Sequence, residues 1–404
     1  MSSVISFEET VRAAGEEPLG REAAGLLIRA RPGDELNLLM AEAGLLRDRL
    51  KGNVITYSRK VFIPLTNLCR DYCGYCAFRK DPGDPDSRTM TPEDVLGVAE
   101  AGARLGCKEA LFSLGDRPEA IFSEMRDELQ GLGHKTTLSY LGAVTRRVLQ
   151  ETSLLPHSNP GLMARTDMET LRRSNPSLGL MLETVSERLT LPGMAHDNAP
   201  DKRPSLRLKV LEQAGRLQIP FTTGILIGIG ETLDERVDSL LAIRELHARY
   251  GHIQEVIIQN FRSKPDIPMR EHPEPDLNDL ARTIAVARLI LRGMNVQAPP
   301  NLSDDNYQFL LHAGINDWGG ISPLTRDYIN PEKPWPHIET LRARTESAGL
   351  ELRERLSVYP EYVANDEFLD PAVAETVRSM ADSNGYARIQ IADQLLQAPA
   401  GYRA

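Results

Sequence analysis

Apolar positions follow one another along this chain in two rhythms, one typical of amphipathic helices and one of short buried strands. The stretch 36–52 repeats apolar residues at helical spacing and ends in Gly52, and the region before it has the same character. From residue 56 onward, short apolar runs alternate with helical segments. The predicted strands are 61–67, 109–114, 154–159, 178–184, 220–228, 255–261 and 295–301.

The segments between these strands carry helix signals. In 91–106, Thr91 is placed to cap a helix and Pro92 occupies its first position, and 205–218 and 232–251 are also helical in pattern. Alternating apolar strands and helices imply a parallel sheet covered by helices, and so an α/β protein. Six or more such units in series predict a (β/α) TIM-type barrel, complete or partial.

The pattern divides the chain into one barrel and two additions. We predict a helical N-terminal extension over 1–55, the barrel over 56–334, and a C-terminal extension of helices and irregular structure over 335–404 that packs on the barrel. A length of 404 residues fits this arrangement, because barrels often exceed 250 residues as one domain.

Composition and charge exclude several classes of function. Acidic residues number 57 against 47 Lys and Arg, which gives a formal charge of −10, and no basic cluster stands out, so nucleic acid is not an expected partner. The most apolar run, 221–230, is far shorter than the ~20 residues that cross a bilayer, and the N-terminus lacks the pattern of a secretion signal. Four unevenly placed cysteines favour a reducing cytosol, so we expect a cytoplasmic protein.

Three of the four cysteines lie within the eight residues CRDYCGYC at 69–76. The spacing is Cys-x3-Cys-x2-Cys, and the segment follows the first predicted barrel strand, at the end where barrel active sites lie. A metal centre held by three thiolates keeps a coordination position open, which is the property of a catalytic site rather than a closed structural one.

A closed zinc site that uses Cys107 as its fourth ligand is the main alternative. Cys107 lies just before the second predicted strand, and so at the opposite pole of a barrel. The poles are ~17–20 Å apart for strands of five or six residues, whereas a zinc–sulfur bond measures about 2.3 Å. Cys107 is therefore predicted to be a small buried residue, and the spacing favours a three-cysteine iron–sulfur cluster over zinc or reactive thiols.

The cysteine spacing, with Tyr75 before the third cysteine and Phe78 after it, resembles the radical S-adenosylmethionine (SAM) superfamily. The resemblance implies a 4Fe-4S cluster on Cys69, Cys73 and Cys76, with Tyr75 and Phe78 beside the cofactor. The open iron would chelate the amino and carboxylate groups of SAM. One electron from the cluster would then cleave SAM to a 5′-deoxyadenosyl radical, the cofactor supplying the difficult chemistry.

The same resemblance assigns other strand ends to SAM. Ser113, Gly115 and Asp116, in the turn SLGDRPE after the second strand, would bind the methionyl amine, and Glu183, at the end of the fourth strand, would bind the ribose or the amine. The alternatives are an ordinary strand-to-helix turn and a solvated turn residue.

The glycine-rich stretch TTGILIGIGET (222–232) resembles the superfamily motif that contacts adenine through the backbone. Gly224, Gly228 and Gly230 would permit that close approach, although glycines in a strand can also mark a bulge.

Four segments, 56–78, 109–119, 220–232 and 313–336, resemble the CofG family, 7,8-didemethyl-8-hydroxy-5-deazariboflavin (FO) synthase subunit 1, over nearly the whole chain. The resemblance implies that the chain converts 5-amino-5-(4-hydroxybenzyl)-6-(D-ribitylimino)-5,6-dihydrouracil to FO by benzylic hydrogen abstraction, ring closure and ammonia loss. It further implies an electron donor and the second subunit, CofH, which makes this substrate and acts in sequence with CofG or in a complex. A single cluster motif leads us to expect the stand-alone form rather than a fusion of both subunits.

Polar residues near the late strands are the candidates for binding such an uncharged, ribityl-bearing substrate. Helix capping and turn formation are the alternative roles for these residue types, and Trp318 fits either ring stacking or the core. No residue stands out as an acid or base, His157 being a weak candidate. The substrate candidates are Asn301, Asp304, Asn316 and Asp317, with Asp305 and Ser322 as further donors or acceptors.

Two other functions stay open at this stage. One is a different radical SAM reaction on an aromatic substrate, by a CofH-like or tyrosine-cleaving paralogue, which a product assay would separate. The other is a zinc-stabilised binding protein, which anaerobic purification would reveal as colourless rather than brown.

Overall fold

Eight parallel strands close into a barrel, as the alternation of apolar runs predicts. The structure is a computed structural model that describes residues 6–389, apart from the side chain of Asp304. A ninth strand extends the sheet. The strands are β1 (Val54–Pro64), β2 (Glu109–Ser113), β3 (Leu155–Asn159), β4 (Ser177–Gly179), β5 (Phe221–Ile227), β6 (Ile253–Asn260), β7 (Val296–Gln297), β8 (Asp317–Ile321) and β9 (Glu351–Arg355).

β1 closes the barrel by pairing on both of its edges. Lys60 lies opposite Glu109 of β2, and Thr56 lies opposite Asp317 of β8, while β2 to β8 pair in chain order. Every pairing is parallel, so the carboxyl ends of all eight strands meet at one pole, here called the upper end. The fold is therefore a TIM-type barrel, with chemistry expected at the upper end.

Helices surround the barrel and precede it. None in the described part of the chain has the length and apolar character needed to cross a membrane. Short 3₁₀ turns cover Pro118–Ala120, Glu187–Thr190, Pro200–Lys202 and Pro300–Asn306. The helices are α1 (Phe7–Glu16), α2 (Arg21–Leu27), α3 (Asp34–Lys51), α4 (Pro92–Arg104), α5 (Ser123–Gly131), α6 (Thr137–Glu151), α7 (Arg165–Leu171), α8 (Pro204–Arg216), α9 (Leu233–Tyr250), α10 (Leu277–Leu291), α11 (Phe309–His312), α12 (Ile338–Ser347), α13 (Pro360–Val363) and α14 (Pro371–Met380).

Two strands escape prediction from the sequence. β8 contains Gly319 and Gly320, which weaken a strand pattern. Both are needed, because a Cβ at Gly319 would lie 2.2 Å from the side chain of Gln297 and one at Gly320 would lie 2.3 Å from that of Lys60. β9 corrects the prediction that 335–404 is helical and irregular. Its sequence ELRER has no apolar run, yet its backbone pairs with the lower half of β1.

The segment that follows β9 closes the lower end of the barrel. The carbonyl oxygen of Ser357 accepts hydrogen bonds from the Ser177 hydroxyl at 2.6 Å and from Gln254 Nε2 at 3.2 Å. Tyr359 is fully buried and donates its hydroxyl to Glu255 Oε1 at 3.0 Å. In the described part of the chain, this segment therefore blocks the lower end of the barrel.

Candidate functional site

The cysteine loop (residues 69–76) lies at the upper end, directly after β1. Cys69 Sγ accepts backbone N–H groups of Asp71 at 3.4 Å and Asp116 at 3.2 Å. On its other side, Gly74 N donates to the carbonyl oxygen of Ala195 at 2.8 Å. The loop is thus fixed by the end of β2 and by the segment before α8. Cys107 is buried before β2, at the lower end, as the sequence predicts.

The cysteine loop offers an incomplete ligand set for a closed zinc site. Cys69, Cys73 and Cys76 lie in one loop at the upper end, whereas Cys107 lies at the lower end, so the loop can supply three thiolates rather than four. Burial raises the pKa of Cys69 to about 12 and that of Cys73 well above its ordinary value. Free thiols here would be unreactive, so a cationic metal group is needed to hold them as thiolates.

One cavity of about 290 Å³, here called the upper cavity, opens in front of the cysteine loop. Most of the residues predicted to bind the cluster and SAM line this cavity together, because each of them follows a strand of the same parallel barrel. Its lining includes Cys69, Cys73, Cys76, Tyr75, Phe78, Ser113, Gly115, Asp116 and Glu183.

Gly115 has to be a glycine at this position. A Cβ there would lie 1.9 Å from the carbonyl oxygen of Leu68 and 2.7 Å from Cys69 Cβ. The turn after β2 therefore packs directly on the cysteine loop, and Asp116 N reaches Cys69 Sγ for the same reason.

The glycines of the fifth strand are placed differently from Gly115. The described residues that line the upper cavity do not include Gly224, Gly228 or Gly230. A Cβ at Gly224 would lie 2.2 Å from the carbonyl oxygen of Ile257, so close pairing of β5 with β6 accounts for it. Gly228 and Gly230 have φ of 85° and 101° in the turn after β5. Adenine binding by this turn stays a prediction.

Charged side chains that the sequence did not single out surround Glu183. Lys202 Nζ lies 2.6 Å from Glu183 Oε1, and Arg207 lies 4.0 Å away. Burial alone would raise the pKa of Glu183, but the two cations outweigh it and hold the pKa below its usual value. The carboxylate is therefore ionised beside the cavity. His196, from the same irregular region, lies 3.1 Å from the Tyr75 hydroxyl.

Asp116 faces two other buried carboxylates. Burial, with the nearby Asp201 and Asp71, raises the pKa of Asp116 to about 7. Its Oδ2 accepts the backbone N–H of Leu162 at 2.9 Å. This part of the site therefore changes charge near neutral pH.

A second space of about 150 Å³, here called the lower cavity, continues from the upper cavity into the barrel. The two share Phe62, Leu111, Asn159, Gln259 and Asn330 as walls. Its polar lining carries little signal in the sequence, because each lining residue is a single polar position in a separate segment. That lining comprises Lys60, Glu109, His157, Thr222, Glu255, Gln297, Asp327 and Arg355.

His157 lines the lower cavity, but both of its ring nitrogens are occupied. Nδ1 lies 2.6 Å from the Ser177 hydroxyl, and Nε2 lies 3.2 Å from Asn159 Oδ1. Burial lowers its pKa to about 4. The ring is therefore neutral, and its hydrogen bonds fix its orientation.

The prediction that Asn316 and Asp317 lie at the barrel mouth is wrong. Asp317 begins β8 and Asn316 directly precedes it, so both lie at the lower end, where the protein itself occupies their polar atoms. Asn316 Oδ1 accepts from Arg288 at 2.7 Å and from Val296 N at 2.9 Å. Asp317 is fully buried and pairs with Arg355 at 2.6 Å. Both residues hold the barrel together.

The remaining substrate candidates lie off the cavity lining or outside the described residues. Asn301 follows β7 and donates to Asp327 Oδ2 at 3.0 Å and to the Lys333 carbonyl oxygen at 3.1 Å, so it stands behind the cavity wall. The side chain of Asp304 lies outside the described part of the chain. Trp318 is fully buried and donates to Thr345 at 3.1 Å, which makes it a core residue at the edge of the lower cavity.

Comparison with known proteins identifies relatives of two kinds. A sequence profile of the Radical SAM superfamily matches residues 63–243. A 7,8-didemethyl-8-hydroxy-5-deazariboflavin synthase of Methanopyrus kandleri is 52% identical over 335 residues, which are 83% of this chain and 100% of the relative. An FO synthase of Streptomyces avermitilis is 51% identical over 371 residues, 89% of this chain but only 43% of the relative. The chain thus spans less than half of that longer protein.

Solved structures agree on the fold. The crystal structure of HydG, a maturase of the FeFe-hydrogenase, superposes with a TM-score of 0.70 at 17% identity, covering 88% of this chain and 77% of that one. Methylornithine synthase (PylB) superposes with a TM-score of 0.66 at 18% identity, covering 86% and 97%. At these identities the likeness concerns the barrel alone.

Proposed function

Because the chain belongs to the 7,8-didemethyl-8-hydroxy-5-deazariboflavin synthase family of radical SAM enzymes, we propose that it performs the ring-closing step of FO formation. The substrate is the 4-hydroxybenzyl, ribitylimino dihydrouracil adduct, and the products are FO and ammonia. In this proposal a CofH-type protein supplies the adduct, and a separate protein donates electrons. The match covers the whole length of the Methanopyrus relative, which carries the name of the synthase, and this supports assigning the step to the matched region.

The three cysteines of the cysteine loop hold the 4Fe-4S cluster in this proposal, and the upper cavity holds SAM. When bound, the cluster and SAM supply the 5′-deoxyadenosyl radical that takes a hydrogen atom from the benzylic carbon of the substrate. The backbone N–H groups of Asp71 and Asp116 stabilise negative charge on Cys69 Sγ. Hydrogen bonds to the ligand sulfurs help to set the reduction potential of an iron–sulfur cluster.

Glu183 is the residue that accepts hydrogen bonds from SAM. Its ionised carboxylate is held in place by Lys202, and hydrogen bonds to charged groups contribute about 1.5–3 kcal/mol. Ser113, Gly115 and Asp116 form the opposite wall of the same cavity. Tyr75 and Phe78 cover the loop side and exclude water from it.

The observation that carries the proposal is that the cysteine-lined cavity continues into a polar space closed at its lower end. Such a space suits an uncharged substrate rich in hydroxyl and amide groups. Gln259 and Asn159, on the shared wall, offer both donors and acceptors at the junction, while Phe62 and Leu111 provide apolar surface for an aromatic ring.

The test is anaerobic turnover of the cluster-loaded chain with SAM, a reductant and the adduct. We expect FO, recognised by its fluorescence, together with 5′-deoxyadenosine and ammonia. A parallel reaction that contains tyrosine and the ribityl diaminouracil instead of the adduct should give no FO. FO from the second mixture alone, or none from the first, would overturn the proposal.

A matched pair of variants tests the place of the substrate. Gln259→Leu should lower FO formation about tenfold, because a lost hydrogen bond with a buried partner left unpaired costs about 1–3 kcal/mol. SAM cleavage should continue, so 5′-deoxyadenosine should exceed FO. Gln130→Leu, on the exposed surface of α5, should match the parent in both products.

A further inference from the structure

Lys60 is a buried lysine of β1 whose ammonium group faces the lower cavity. Its Nζ lies 4.7 Å from the centre of the Trp335 ring and 5.4 Å from that of Phe62. Within residues 6–389, Nζ contacts these two rings but makes no hydrogen bond or ion pair. A buried ammonium that makes no hydrogen bond to these residues has hydrogen-bonding capacity left for a ligand.

The carboxylates around Lys60 are engaged with other partners. Glu109, on β2, accepts from the Ser58 hydroxyl. Glu255, on β6, pairs with Arg355 at 3.0 Å. Asp327, after β8, accepts hydrogen bonds from Asn301 Nδ2 and from two backbone N–H groups. On β3, His157 is neutral.

These surroundings favour a lysine that can exchange its proton. Burial lowers the pKa of Lys60 from its ordinary value. The pKa is raised in part by the carboxylates of Glu109, Asp327 and Glu255 and lowered further by Arg355, and the net shift is downward. A lysine with a lowered pKa gives up its proton more readily than an exposed one, which suits it to proton transfer.

The backbone of β8 is shaped to admit this side chain. A Cβ at position 320 would lie 2.3 Å from Lys60 Cδ and 2.7 Å from Nζ. Gly320 therefore leaves the space through which Lys60 extends into the cavity. The position of Nζ depends on two elements, β1 and β8, that face the same space.

We propose that Lys60 is the proton-transfer residue for ammonia loss, an inference that rests on the function proposed above. The Lys60 ammonium donates a proton to the departing amine nitrogen, and the C–N bond breaks with its electron pair remaining on nitrogen, which leaves as ammonia. The substrate releases one proton as its new double bond forms, and the neutral Lys60 amine accepts that proton. The elimination itself requires no oxidant, because one C–H or N–H bond and one C–N bond are replaced by one π bond and ammonia. The odd electron that hydrogen abstraction leaves on the substrate departs in a separate step to a one-electron acceptor of the iron–sulfur class.

The first test replaces Lys60 by Met, which keeps the length and apolar stem but cannot transfer a proton. General acid–base catalysis contributes about 10²–10⁴-fold to rates, so FO formation should fall at least about 100-fold while iron content and SAM cleavage persist. Lys60→Arg should not restore activity near neutral pH, because a guanidinium does not lose its proton. A purely electrostatic role for Lys60 predicts that Arg does restore it.

Chemical rescue separates proton transfer from structure. Small primary amines such as methylamine should raise FO formation by Lys60→Ala, with a rate that depends on the pKa of the amine. The pH profile of the parent should also lose one limb in Lys60→Met. Lys51→Met removes a lysine that pairs with Glu361 at 3.1 Å outside the cavity, and this control should leave FO formation unchanged.

The outcomes separate this inference from the proposed function. If the parent makes no FO, the proposed function fails. If the parent makes FO and Lys60→Met, or Lys60→Ala without added amine, makes it at a similar rate, only the role of Lys60 fails. Should Lys60→Met lose its cluster, Gly320→Ala decides, because it crowds Lys60 and should reduce FO with iron intact. Unchanged FO formation by Gly320→Ala would then refute the role.

Discussion

Replacing Gly115 by Ala tests whether the turn after β2 holds the cysteine loop. The added Cβ would lie 1.9 Å from the Leu68 carbonyl oxygen, whereas ordinary contacts are about 3.5 Å. The loop and the turn would have to separate by about 1.5 Å. Overpacking of this kind costs about 1–3 kcal/mol.

The separation would also stretch the hydrogen bonds that connect the turn to the loop. Gly115 N donates to the Thr66 carbonyl oxygen at 2.9 Å, Arg70 N donates to that of Asp116 at 3.0 Å, and Asp116 N donates to Cys69 Sγ at 3.2 Å. Each such bond contributes about 0.5–1.5 kcal/mol. If all three bonds were lost, the combined cost would be about 2.5–7.5 kcal/mol, and it would fall on the loop rather than on the barrel core.

The assay is iron content per chain and visible absorption after anaerobic cluster assembly, with the melting temperature recorded on the same samples. We expect Gly115→Ala to bind much less iron and to form little FO. Gly97→Ala is the matched control, because no atom lies within 4 Å of its Cβ on the exposed face of α4. That change should stabilise the helix by up to about 1 kcal/mol. Full iron content in Gly115→Ala would refute the coupling of turn and loop.

Three further predictions concern the cluster, SAM and the pH dependence of stability. Ala at any of the loop cysteines should lower iron content and abolish FO formation, whereas Cys107→Ala should preserve both, and iron analysis would expose the opposite pattern. Glu183→Gln should weaken SAM binding about tenfold or more with an unchanged cluster spectrum, and equal SAM affinity in a titration would count against its role. Burial lowers the pKa of His252 from 6.5 to about 3. As pH falls from 6.5 towards 3, the unfolded chain therefore binds a proton that the folded chain does not, and stability decreases by about 1.4 kcal/mol per pH unit. In chemical unfolding, His252→Phe should reduce the slope by that amount, and an unaltered slope would contradict the contribution of His252.

The sequence was sufficient to assemble the upper cavity because its residues obey one simple rule. The cysteine loop, Gly115 and Glu183 each follow an apolar run, and parallel strands bring all such positions to one pole. The sequence also placed Cys107 at the other pole by the same rule. Here the periodicity alone determines where the residues meet.

The rule failed where a strand was not recognised. Without β8, Asn316 and Asp317 were expected at the mouth, yet a strand of five residues places its first residue about 13 Å from its last. The two glycines that weaken the strand pattern of β8 are required because the side chains of Gln297 and Lys60, distant in sequence, pack against them. No local pattern carries that information.

Residues of irregular segments and strand interiors were missed for a related reason. Lys202 ends the 3₁₀ turn Pro200–Lys202, and His196 lies in the irregular stretch before it, where no period relates a residue to a face of the fold. Lys60 and Gln259 interrupt apolar strands, and only the closed barrel shows that they point into one cavity. Their chemistry depends on neighbours from other strands.

The most direct test of the account uses the adduct with two deuterium atoms at its benzylic carbon, in anaerobic turnover by the cluster-loaded chain. We predict one deuterium in 5′-deoxyadenosine and one retained in FO, because the barrel holds that carbon against SAM and the ring closes without further exchange. Formation of FO with unlabelled 5′-deoxyadenosine, or labelled 5′-deoxyadenosine without any FO, would contradict the account.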